Sequence, residues 1–386
     1  MIPVLRPEAT GAPESGIVEV FNYGRDRAGL IPLWVGEGDL PTPDFISAAA
    51  RAGLAAGETF YTHQRGIPAL RGAIQRYHER LYGRPFDPAR FFVTSGGMPA
   101  IQIALRMVAG EGDEVVIPTP AWPNFAAATT IGGARAVDVP MTFGNNGWTL
   151  DLDRLFAAVT PRTRALFINS PCNPTGWTAS VEELIAIRDF ARARGLWIIA
   201  DEVYTRFFYP APRAPSFYDI TEPDEPVLYV NTMSKNWAMT GWRIGWLAAP
   251  PRLGQTIENL IQYQSSGTPQ FLQRGAVAAL DAGENFIAFQ RERALAARSI
   301  ICDALAATGR VRFTPPTGAF YLFFAVDGET DTRKLGLRLV DEANIGLAPG
   351  DAFGAGGSGF MRLCFLRDPM QIAEAARRLS RWLAGG

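Results

Sequence analysis

The sequence contains two lysines, Lys235 and Lys334, so amine chemistry has only two candidate residues. Lys334 lies in the amphipathic segment DTRKLGLRLV, where a charged residue normally occupies the solvated face. Lys235 instead ends the apolar run VLYVNTMSK, which is typical of a buried strand. A lysine at the end of such a strand can lose its proton, and the neutral amine can attack an aldehyde to form an imine. The sequence therefore predicts Lys235 as a nucleophile. The alternative is a plain strand followed by a glycine turn with surface charges.

Residues around this lysine are suited to binding a phosphate group. In SKNWAMTGWRIGW, Ser234 and Arg243 offer a hydroxyl and a guanidinium, both good partners for a phosphate dianion. In TSGGMPA, Gly97 and Met98 follow a strand-like run and open a helix, whose free N–H groups form an anion site. An ordinary glycine turn is the alternative for the second segment.

Two further strand ends carry polar residues. Asp201 and Tyr204 follow the apolar run GLWIIA, and a buried carboxylate is costly unless it is paired with a cation. Asn173 lies in NSPCNPTGW, where proline and glycine fix the backbone well enough to aim its side chain at a ring oxygen. A protonated pyridine nitrogen would be the cation that Asp201 needs, as in pyridoxal phosphate. A helix N-cap aspartate and a simple turn remain the alternatives.

Strand-like and helix-like segments alternate from about residue 90, which indicates βαβ units and a mostly parallel sheet covered on both faces. Such sheets bind ligands at the carboxyl ends of their strands. After about residue 285 the pattern changes to that of an α+β lobe. The predicted strands are 90–95, 113–120, 164–170, 195–202, 226–234 and 243–249.

Composition excludes several classes of protein. A net charge of −1 at pH 7 gives no field that would attract nucleic acid. No leader pattern precedes the body of the chain, and no apolar run approaches the ~20 residues needed to cross a bilayer. Cys172, Cys302 and Cys364 are odd in number and lack a CxxC spacing, so we expect reduced thiols and no metal site. These features predict a cytoplasmic protein that acts on small molecules and contacts neither nucleic acid nor membrane.

Taken in order, NPTG, ADEVY, and SK followed by TGWRIG resemble the class I/II aminotransferases of the fold-type I pyridoxal-phosphate family. The likeness covers nearly the whole chain. It implies an α/β fold with a large domain, built on a mostly parallel seven-stranded sheet flanked by helices, and a smaller α+β domain. The implied division is an N-terminal segment 1–40 that contributes to the small domain and active site, a cofactor-binding domain 41–284 and a C-terminal domain 285–386.

The resemblance also implies roles in binding pyridoxal phosphate. Lys235 would hold the cofactor as a Schiff base and shuttle protons, and Asp201 would pair with the pyridine nitrogen. Asn173 and Tyr204 would hydrogen-bond the ring hydroxyl oxygen. The ring face and the phosphate would be held by further residues, namely Trp122 at the ring and Gly97, Met98, Ser234, Arg243 and Tyr61 at the phosphate. Met98 occupies a position that is often polar in the family, so only its backbone N–H can serve.

For the substrate, the resemblance implies that Gly36 and Arg362 bind the α-carboxylate, assisted by Asn173. The alternative for Arg362 is a structural ion pair or a surface arginine on an edge strand. A homodimer is implied, with Tyr61 reaching the site of the neighbouring subunit. The donor side chain is left open, with candidate lining residues Ile17, His63, Arg65 and Phe125.

The implied reaction moves the amino group of an α-amino acid to a 2-oxo acid by a ping-pong mechanism. The same fold hosts C–S β-lyases and decarboxylases, so these remain alternatives, and a non-catalytic protein that senses the cofactor is a third. A sensing regulator would normally carry an added DNA-binding domain, and the family-like region starts near residue 15. The remaining histidine, His78, is expected on the surface of a helix.

Overall fold

The computed structural model describes residues 3–385. The α-helices in chain order are α1 Pro7–Thr10, α2 Gly16–Gly24, α3 Asp44–Ala55, α4 Pro68–Tyr82, α5 Gly97–Val108, α6 Asn124–Ile131, α7 Leu152–Ala157, α8 Val181–Arg194, α9 Gly254–Ser265, α10 Gln270–Ala282, α11 Glu284–Ala306, α12 Thr332–Arg338 and α13 Pro369–Ala384.

The strands in chain order are β1 Ile31–Pro32, β2 Phe91–Thr94, β3 Glu114–Thr119, β4 Arg135–Pro140, β5 Thr142–Gly144, β6 Gly147–Thr149, β7 Thr163–Asn169, β8 Trp197–Asp201, β9 Val227–Thr232, β10 Gly245–Ala248, β11 Val311–Arg312, β12 Tyr321–Val326, β13 Ile345–Gly346, β14 Ala348–Pro349 and β15 Phe360–Cys364. Short 3₁₀ or π-helical turns connect some of them, at Pro88–Arg90, Phe217–Asp219, Thr240–Trp242, Pro251–Leu253, Leu339–Ala343 and Gly350–Phe353.

Seven strands form one large sheet in the order β2, β10, β9, β8, β7, β3, β4. The five strands from β9 to β4 run parallel, and β10 is antiparallel to both of its neighbours. Most of these strands are apolar and buried along their length, as expected for a parallel sheet with helices on both faces. The structure confirms the predicted seven-stranded, mostly parallel sheet.

The sequence pattern located six of these strands and missed the seventh. β4 lies at one edge of the sheet, and its residues are mostly half-buried or exposed. Charged residues interrupt the segment ARAVDVP, so it lacks the apolar run by which the interior strands were recognised. An edge strand with one neighbour does not need that pattern.

The helices that cover the sheet carry clear start and stop signals. α8 begins at a capping box in which Ser180 and Glu183 each satisfy a backbone N–H of the other, and it ends at Gly195 in the left-handed conformation. α4 begins with Pro68 in its first turn and ends at Gly83, also left-handed. These signals are local, so the sequence alone marks both ends of each helix.

A second, four-stranded antiparallel sheet has the order β11, β12, β15, β14. The long helix α11 packs against α13 beside it. β1 from the N-terminal segment pairs in parallel with β13, so Ile31 lies opposite Ile345. The N-terminal segment is thereby joined to the C-terminal part of the chain, while the predicted domain boundaries at residues 40 and 284 stay predictions.

The expectation that His78 lies on a helix surface is wrong. Its ring is buried against an aromatic cluster, and its Nδ1 lies 2.8 Å from the carbonyl oxygen of Ile74. Burial lowers the pKa of His78 to about 4, so the ring is neutral at physiological pH. Tyr77 and His78 both face the core. Because polar residues surround His78 in the segment IQRYHERLYG, the sequence pattern does not reveal its burial. The rings within contact distance of His78 are Tyr77, Tyr82, Phe86, Phe91, Tyr218 and Trp246.

Candidate active site

Neighbouring strands of the large sheet bring polar side chains to one edge. Asn169 and Asp201 are the last residues of β7 and β8 and lie opposite each other in the parallel register. Ser234 and Lys235 follow the end of β9. Parallel sheets of this kind bind ligands beyond the carboxyl ends of their strands, and a cavity of about 520 Å³ lies there.

The structure brings nearly all of the predicted site residues to this cavity. Those that line it are Gly36, Gly97, Met98, Trp122, Asn173, Asp201, Tyr204, Ser234, Lys235, Arg243 and Arg362. They come from both sheets and from the N-terminal segment, so the cavity lies where the three parts of the chain meet. Tyr61 is the one predicted residue that is not among the lining residues.

Lys235 has the environment that an amine nucleophile needs. Its side chain is half-buried, and its Nζ donates a hydrogen bond to the carbonyl oxygen of Gly36 at 2.7 Å. Burial is the main reason that the pKa of Lys235 falls from 10.5 to about 8, with Glu37 opposing the shift. A substantial fraction of this amine is therefore neutral near pH 8 and can act as a nucleophile or a base.

Asp201 is a buried carboxyl group that lacks a cation. It is 2% exposed, and its Oδ1 accepts a hydrogen bond from the backbone N–H of Val203 at 3.2 Å. Among residues 3–385 it forms no ion pair, and burial raises its pKa to about 7. In the described part of the chain no helix begins directly after Asp201, so the helix N-cap alternative is wrong, while the pairing of this carboxyl with a ligand stays a prediction.

Asn173 and Tyr204 lie beside this carboxyl group with defined orientations. The backbone N–H of Asn173 donates to Asn169 Oδ1 at 2.9 Å, and Asn169 Nδ2 donates to the carbonyl oxygen of Asp201 at 3.2 Å. The hydroxyl of Tyr204 lies 2.8 Å from that of Tyr321. Both hydroxyls stay protonated at physiological pH because burial raises the pKa of each tyrosine.

An anion cradle closes the other end of the cavity. α5 begins at Gly97 without a side-chain cap, so its first N–H groups are free for a ligand. The guanidinium of Arg243 lies against this turn, since a Cβ placed on Gly96 would meet its Nη2 at 2.6 Å. The hydroxyl of Ser234 accepts a hydrogen bond from Thr232 at 2.9 Å and keeps its own proton for a further acceptor.

Close packing beneath this cradle explains the glycine in WRIGW. A Cβ on Gly245 would lie 2.8 Å from the carbonyl carbon of Gly96 and 3.0 Å from the nitrogen of Gly97. Any larger residue would push the first turn of α5 away from the cavity. The backbone of β10 thus holds the anion-binding turn in place.

Arg362 is a buried arginine that forms no ion pair with any carboxylate of residues 3–385. It is 2% exposed and lies on β15, which has neighbours on both sides. Its Nη1 donates to Asn173 Oδ1 at 3.1 Å and its Nη2 to the carbonyl oxygen of Trp34, while its Nε has no acceptor in the described part of the chain. The alternative of an edge-strand or ion-paired arginine is therefore wrong, and the guanidinium is available for an anion from the cavity.

Tyr321 is a site residue that the sequence analysis missed. Its hydroxyl approaches Gly36 so closely that a Cβ there would lie 2.2 Å from it. The Cζ of Arg362 lies 4.7 Å from the centre of its ring. Tyr321 is the first residue of the strand YLFFAV. An aromatic residue in such an apolar strand is expected in the core, so no local sequence signal indicates a role in the site. Trp34 also lines the cavity and was missed for the same reason, whereas Asn169 lies at the end of a predicted strand and could have been found from that position.

The candidate residues for the donor side chain divide into two pairs. Ile17 and Phe125 line the cavity. Arg65 does not, because its guanidinium pairs with Glu258 at 2.7 Å. His63 is exposed in its loop, as expected.

The cavity fits pyridoxal phosphate in chemistry and in arrangement. A nucleophilic amine, an unpaired buried carboxyl and an uncapped helix end with a guanidinium are the partners of its aldehyde, its pyridine nitrogen and its phosphate. Their placement at the carboxyl edge of a seven-stranded sheet defines the class of protein as a fold-type I pyridoxal-phosphate enzyme.

Comparison with known proteins agrees and is more specific. The family described as "Aminotransferase class I and II" matches residues 30–379. The chain is 31% identical over 374 residues to the aspartate aminotransferase of Pyrococcus horikoshii, covering 96% of this chain and 95% of that protein. It is 32% identical over 373 residues to aromatic-amino-acid aminotransferase 2 of Thermococcus litoralis, with 96% and 95% covered. A solved structure of Thermus thermophilus aspartate aminotransferase with maleate superposes with a TM-score of 0.91 and is 29% identical in sequence. The match covers 98% of this chain and 100% of that chain.

The chain belongs to the class I and II aminotransferase family. It is a pyridoxal-phosphate-dependent aminotransferase that uses amino acid and 2-oxo acid substrates. The predicted cofactor and reaction type are thereby confirmed, and these relatives are named as aminotransferases rather than as β-lyases, decarboxylases or sensors.

The described residues include no α-helix that is both long enough and apolar enough to span a bilayer. Within residues 3–385, no three His, Cys, Asp or Glu side chains are grouped so that they could hold a metal ion. The predicted cytoplasmic location stays a prediction.

Proposed function

We propose that this aminotransferase takes α-amino acids with apolar side chains as donors and binds their α-carboxylate through Arg362. The observation that carries the proposal is the set of charges in the cavity. Its lining contains three cationic side chains, Lys235, Arg243 and Arg362, and each has a task at the cofactor or the α-carboxylate. No further cation among the described lining residues is left for an acidic donor side chain.

Pyridoxal phosphate, when bound, supplies an aldehyde for the amino group and a protonated ring that accepts electrons from the substrate Cα. Lys235 is positioned to take the proton from Cα, because Gly36 holds its Nζ and burial keeps part of it neutral. Asp201 supplies the negative charge that keeps the ring nitrogen protonated.

The remaining predicted residues orient the cofactor ring and hold its phosphate. Asn173 and Tyr204 are placed to donate hydrogen bonds to the ring oxygen, and Trp122 to cover a ring face. At the phosphate, the free N–H groups of Gly97 and Met98 act with the side chains of Ser234 and Arg243.

Arg362 has the geometry of a carboxylate clamp. The ring centres of Tyr321 and Phe353 lie 4.7 and 4.9 Å from the Cζ of Arg362. These two contacts restrict the movement of the guanidinium. Asn173 fixes one nitrogen, and the unpartnered Nε remains for the ligand. A planar guanidinium can bind a carboxylate through two parallel hydrogen bonds, which a lysine cannot reproduce.

For Arg362→Lys we expect kcat/KM for an α-amino acid to fall roughly 30-fold to several-thousand-fold, because lysine keeps the charge but loses the paired hydrogen bonds to the buried carboxylate, at a cost of about 2 to 5 kcal/mol. Cofactor binding should be unchanged. The measurement is the spectrophotometric half-reaction with an amino acid and with the corresponding amine that lacks the carboxylate. Equal losses on both compounds, or no loss on either, would show that Arg362 does not hold the carboxylate.

The rest of the lining is mostly apolar on the side that faces the N-terminal segment. Ile17 and Val18 come from α2, and Val35 precedes Gly36. Phe125 lies across the cavity and contacts Trp122 edge to face, with ring centres 5.5 Å apart. An apolar donor side chain would bury its surface here, whereas a second carboxylate would lose water without gaining a partner.

We therefore expect L-phenylalanine or L-leucine to exceed L-aspartate in kcat/KM by about 30-fold or more in the half-reaction, the cost of about 2 kcal/mol for an unpaired buried carboxylate. Ile17→Lys should raise the relative rate with aspartate, since it adds a cation to the lining. Ile17→Met is the matched control, because it keeps the length without the charge. Aspartate turned over as well as phenylalanine by the unaltered protein would refute the donor class while leaving the aminotransferase assignment intact.

We propose a homodimer in which Tyr61 completes the site of the neighbouring subunit. Tyr61 is 93% exposed and lies outside the cavity of its own chain. Two other aromatic side chains, Phe60 and Tyr263, are exposed as well, and Gln64 in the Tyr61 loop hydrogen-bonds Gln262 beside Tyr263. An exposed aromatic surface of this kind is typical of a protein interface. Light scattering of the purified protein measures the assembly.

A further inference from the structure

We propose that Tyr321 is a positioning residue for the reaction, acting on Tyr204 through its hydroxyl and on Arg362 through its ring. The inference builds on the proposed roles of those two residues. Tyr321 is fully buried at the start of β12, in the small sheet, and it touches residues from the other two parts of the site. It is thus placed to link the cofactor end of the cavity with the carboxylate end.

The contact between the two hydroxyls couples their hydrogen bonding, and either oxygen can be the donor. Tyr204 and Tyr321 each carry one O–H, and the 2.8 Å contact between their oxygens uses one of the two protons. Neither hydroxyl has another hydrogen-bond partner in the described part of the chain. When Tyr321 donates, Tyr204 becomes the acceptor, and its own proton is left for the ring oxygen of the cofactor.

The ring contact fixes the plane of the clamp. Arg362 and Tyr321 come from neighbouring strands, since Tyr321 lies opposite Cys364 and Phe323 lies opposite Arg362. The 4.7 Å separation of the Arg362 Cζ from the Tyr321 ring centre is within the range of a favourable cation–π contact. Tyr321 therefore restricts how the guanidinium can turn toward a carboxylate.

Gly36 connects the same tyrosine to Lys235. The carbonyl oxygen of Gly36 accepts the hydrogen bond from Lys235 Nζ, and its Cα is packed against the Tyr321 hydroxyl so tightly that no side chain fits there. One tyrosine thus borders three groups with proposed roles at the reacting centre. A purely structural core tyrosine would not need a hydroxyl that faces a ligand cavity.

The test separates hydroxyl from ring by two substitutions. Tyr321→Phe removes the hydroxyl and keeps the contact with Arg362. In the cofactor-loaded protein we expect kcat to fall about 3- to 10-fold with KM unchanged, the scale of one net hydrogen bond. The pH midpoint of the bound cofactor's visible absorbance should rise by about 0.5 to 1 unit, because a weaker hydrogen bond from Tyr204 leaves the ring oxygen less stabilised as an anion.

Tyr229→Phe is the matched control. Tyr229 is also fully buried, its hydroxyl has one side-chain partner, Thr221, at 2.5 Å, and it does not line the cavity. Tyr229→Phe should leave the pH midpoint of the bound cofactor's absorbance unchanged. In a Tyr204→Phe background, adding Tyr321→Phe should change kcat less than 2-fold, since the hydroxyl then has nothing to orient.

Tyr321→Leu removes the ring as well. We expect an added rise in KM for α-amino acids and none for the matching amine, because only the former uses the Arg362 clamp. The proposal is overturned if the absorbance midpoint of Tyr321→Phe equals that of Tyr229→Phe, or if the effects of Tyr204→Phe and Tyr321→Phe simply multiply. A wild-type protein that binds no pyridoxal phosphate would overturn the site assignments first, and this inference with them.

Discussion

Replacing Lys235 with alanine is expected to yield a folded protein that holds no covalently attached cofactor and has lost transamination by on the order of 10⁴-fold or more, the scale of removing a catalytic nucleophile. The half-buried Lys235 amine lines the cavity and donates a hydrogen bond to the carbonyl oxygen of Gly36, so its loss should leave the large sheet intact. Lys334 cannot substitute for it, because its side chain is 81% exposed and pairs with Asp331 at 3.2 Å.

The measurement is borohydride reduction followed by peptide mass spectrometry. The wild-type protein and the control Lys334→Ala should carry the cofactor mass on the peptide that contains residue 235, and Lys235→Ala should carry none. Attachment of the cofactor elsewhere in Lys235→Ala, with turnover retained, would remove Lys235 from the mechanism.

Asp201→Asn should keep the shape of the site and abolish its buried negative charge. We expect the cofactor to bind but kcat to fall by at least ~100-fold, as for the loss of one preorganised electrostatic stabiliser. A kcat near that of the wild-type protein would show that Asp201 is structural.

In the cofactor-free protein, the same substitution should remove a loss of stability that occurs as the pH rises. Burial raises the pKa of Asp201 from 3.8 to about 7, so the folded state resists ionisation of this carboxyl. The contribution of the neutral Asp201 carboxyl to the free energy of unfolding is therefore fully present below about pH 4 and declines as the pH rises toward 7. Urea unfolding of the cofactor-free protein at pH 5 and pH 8 should show a decline that Asp201→Asn lacks. The comparison variant is Asp138→Asn, at another carboxyl whose pKa burial raises, which should remove its own part of the decline and leave the part due to Asp201.

Much of this site could be predicted from the sequence because its key residues end or follow strands. Apolar runs locate the interior strands, and the residues after them, such as Asp201 and Lys235, must lie at the same edge of a parallel sheet. Glycines and prolines in the connecting turns strengthen the prediction, since their backbone preferences are local. These signals need no knowledge of distant contacts.

The remaining features depend on contacts between distant parts of the chain. Tyr321 and Tyr204 meet across 117 residues, and nothing within either segment announces the pairing. His78 is buried because an aromatic cluster from several elements surrounds it, which its own helix pattern does not encode. The edge strand β4 lacks the apolar run of its neighbours. The pKa values of Lys235 and Asp201 likewise follow from burial that exists only in the folded chain.

The scarcity of lysine has a consequence for chemical labelling. Lys334 is exposed on α12, whereas Lys235 lies in the cavity behind its hydrogen bond to Gly36. When the predicted Schiff base occupies Lys235, an acylating reagent or an amine-reactive dye therefore has Lys334 as its one free lysine side chain, together with the N-terminal amine. Attachment at Lys334 would couple the enzyme to a surface or a fluorophore at a defined position, with its active site left unmodified. The arginines that carry nearly all other positive charge do not react with such reagents.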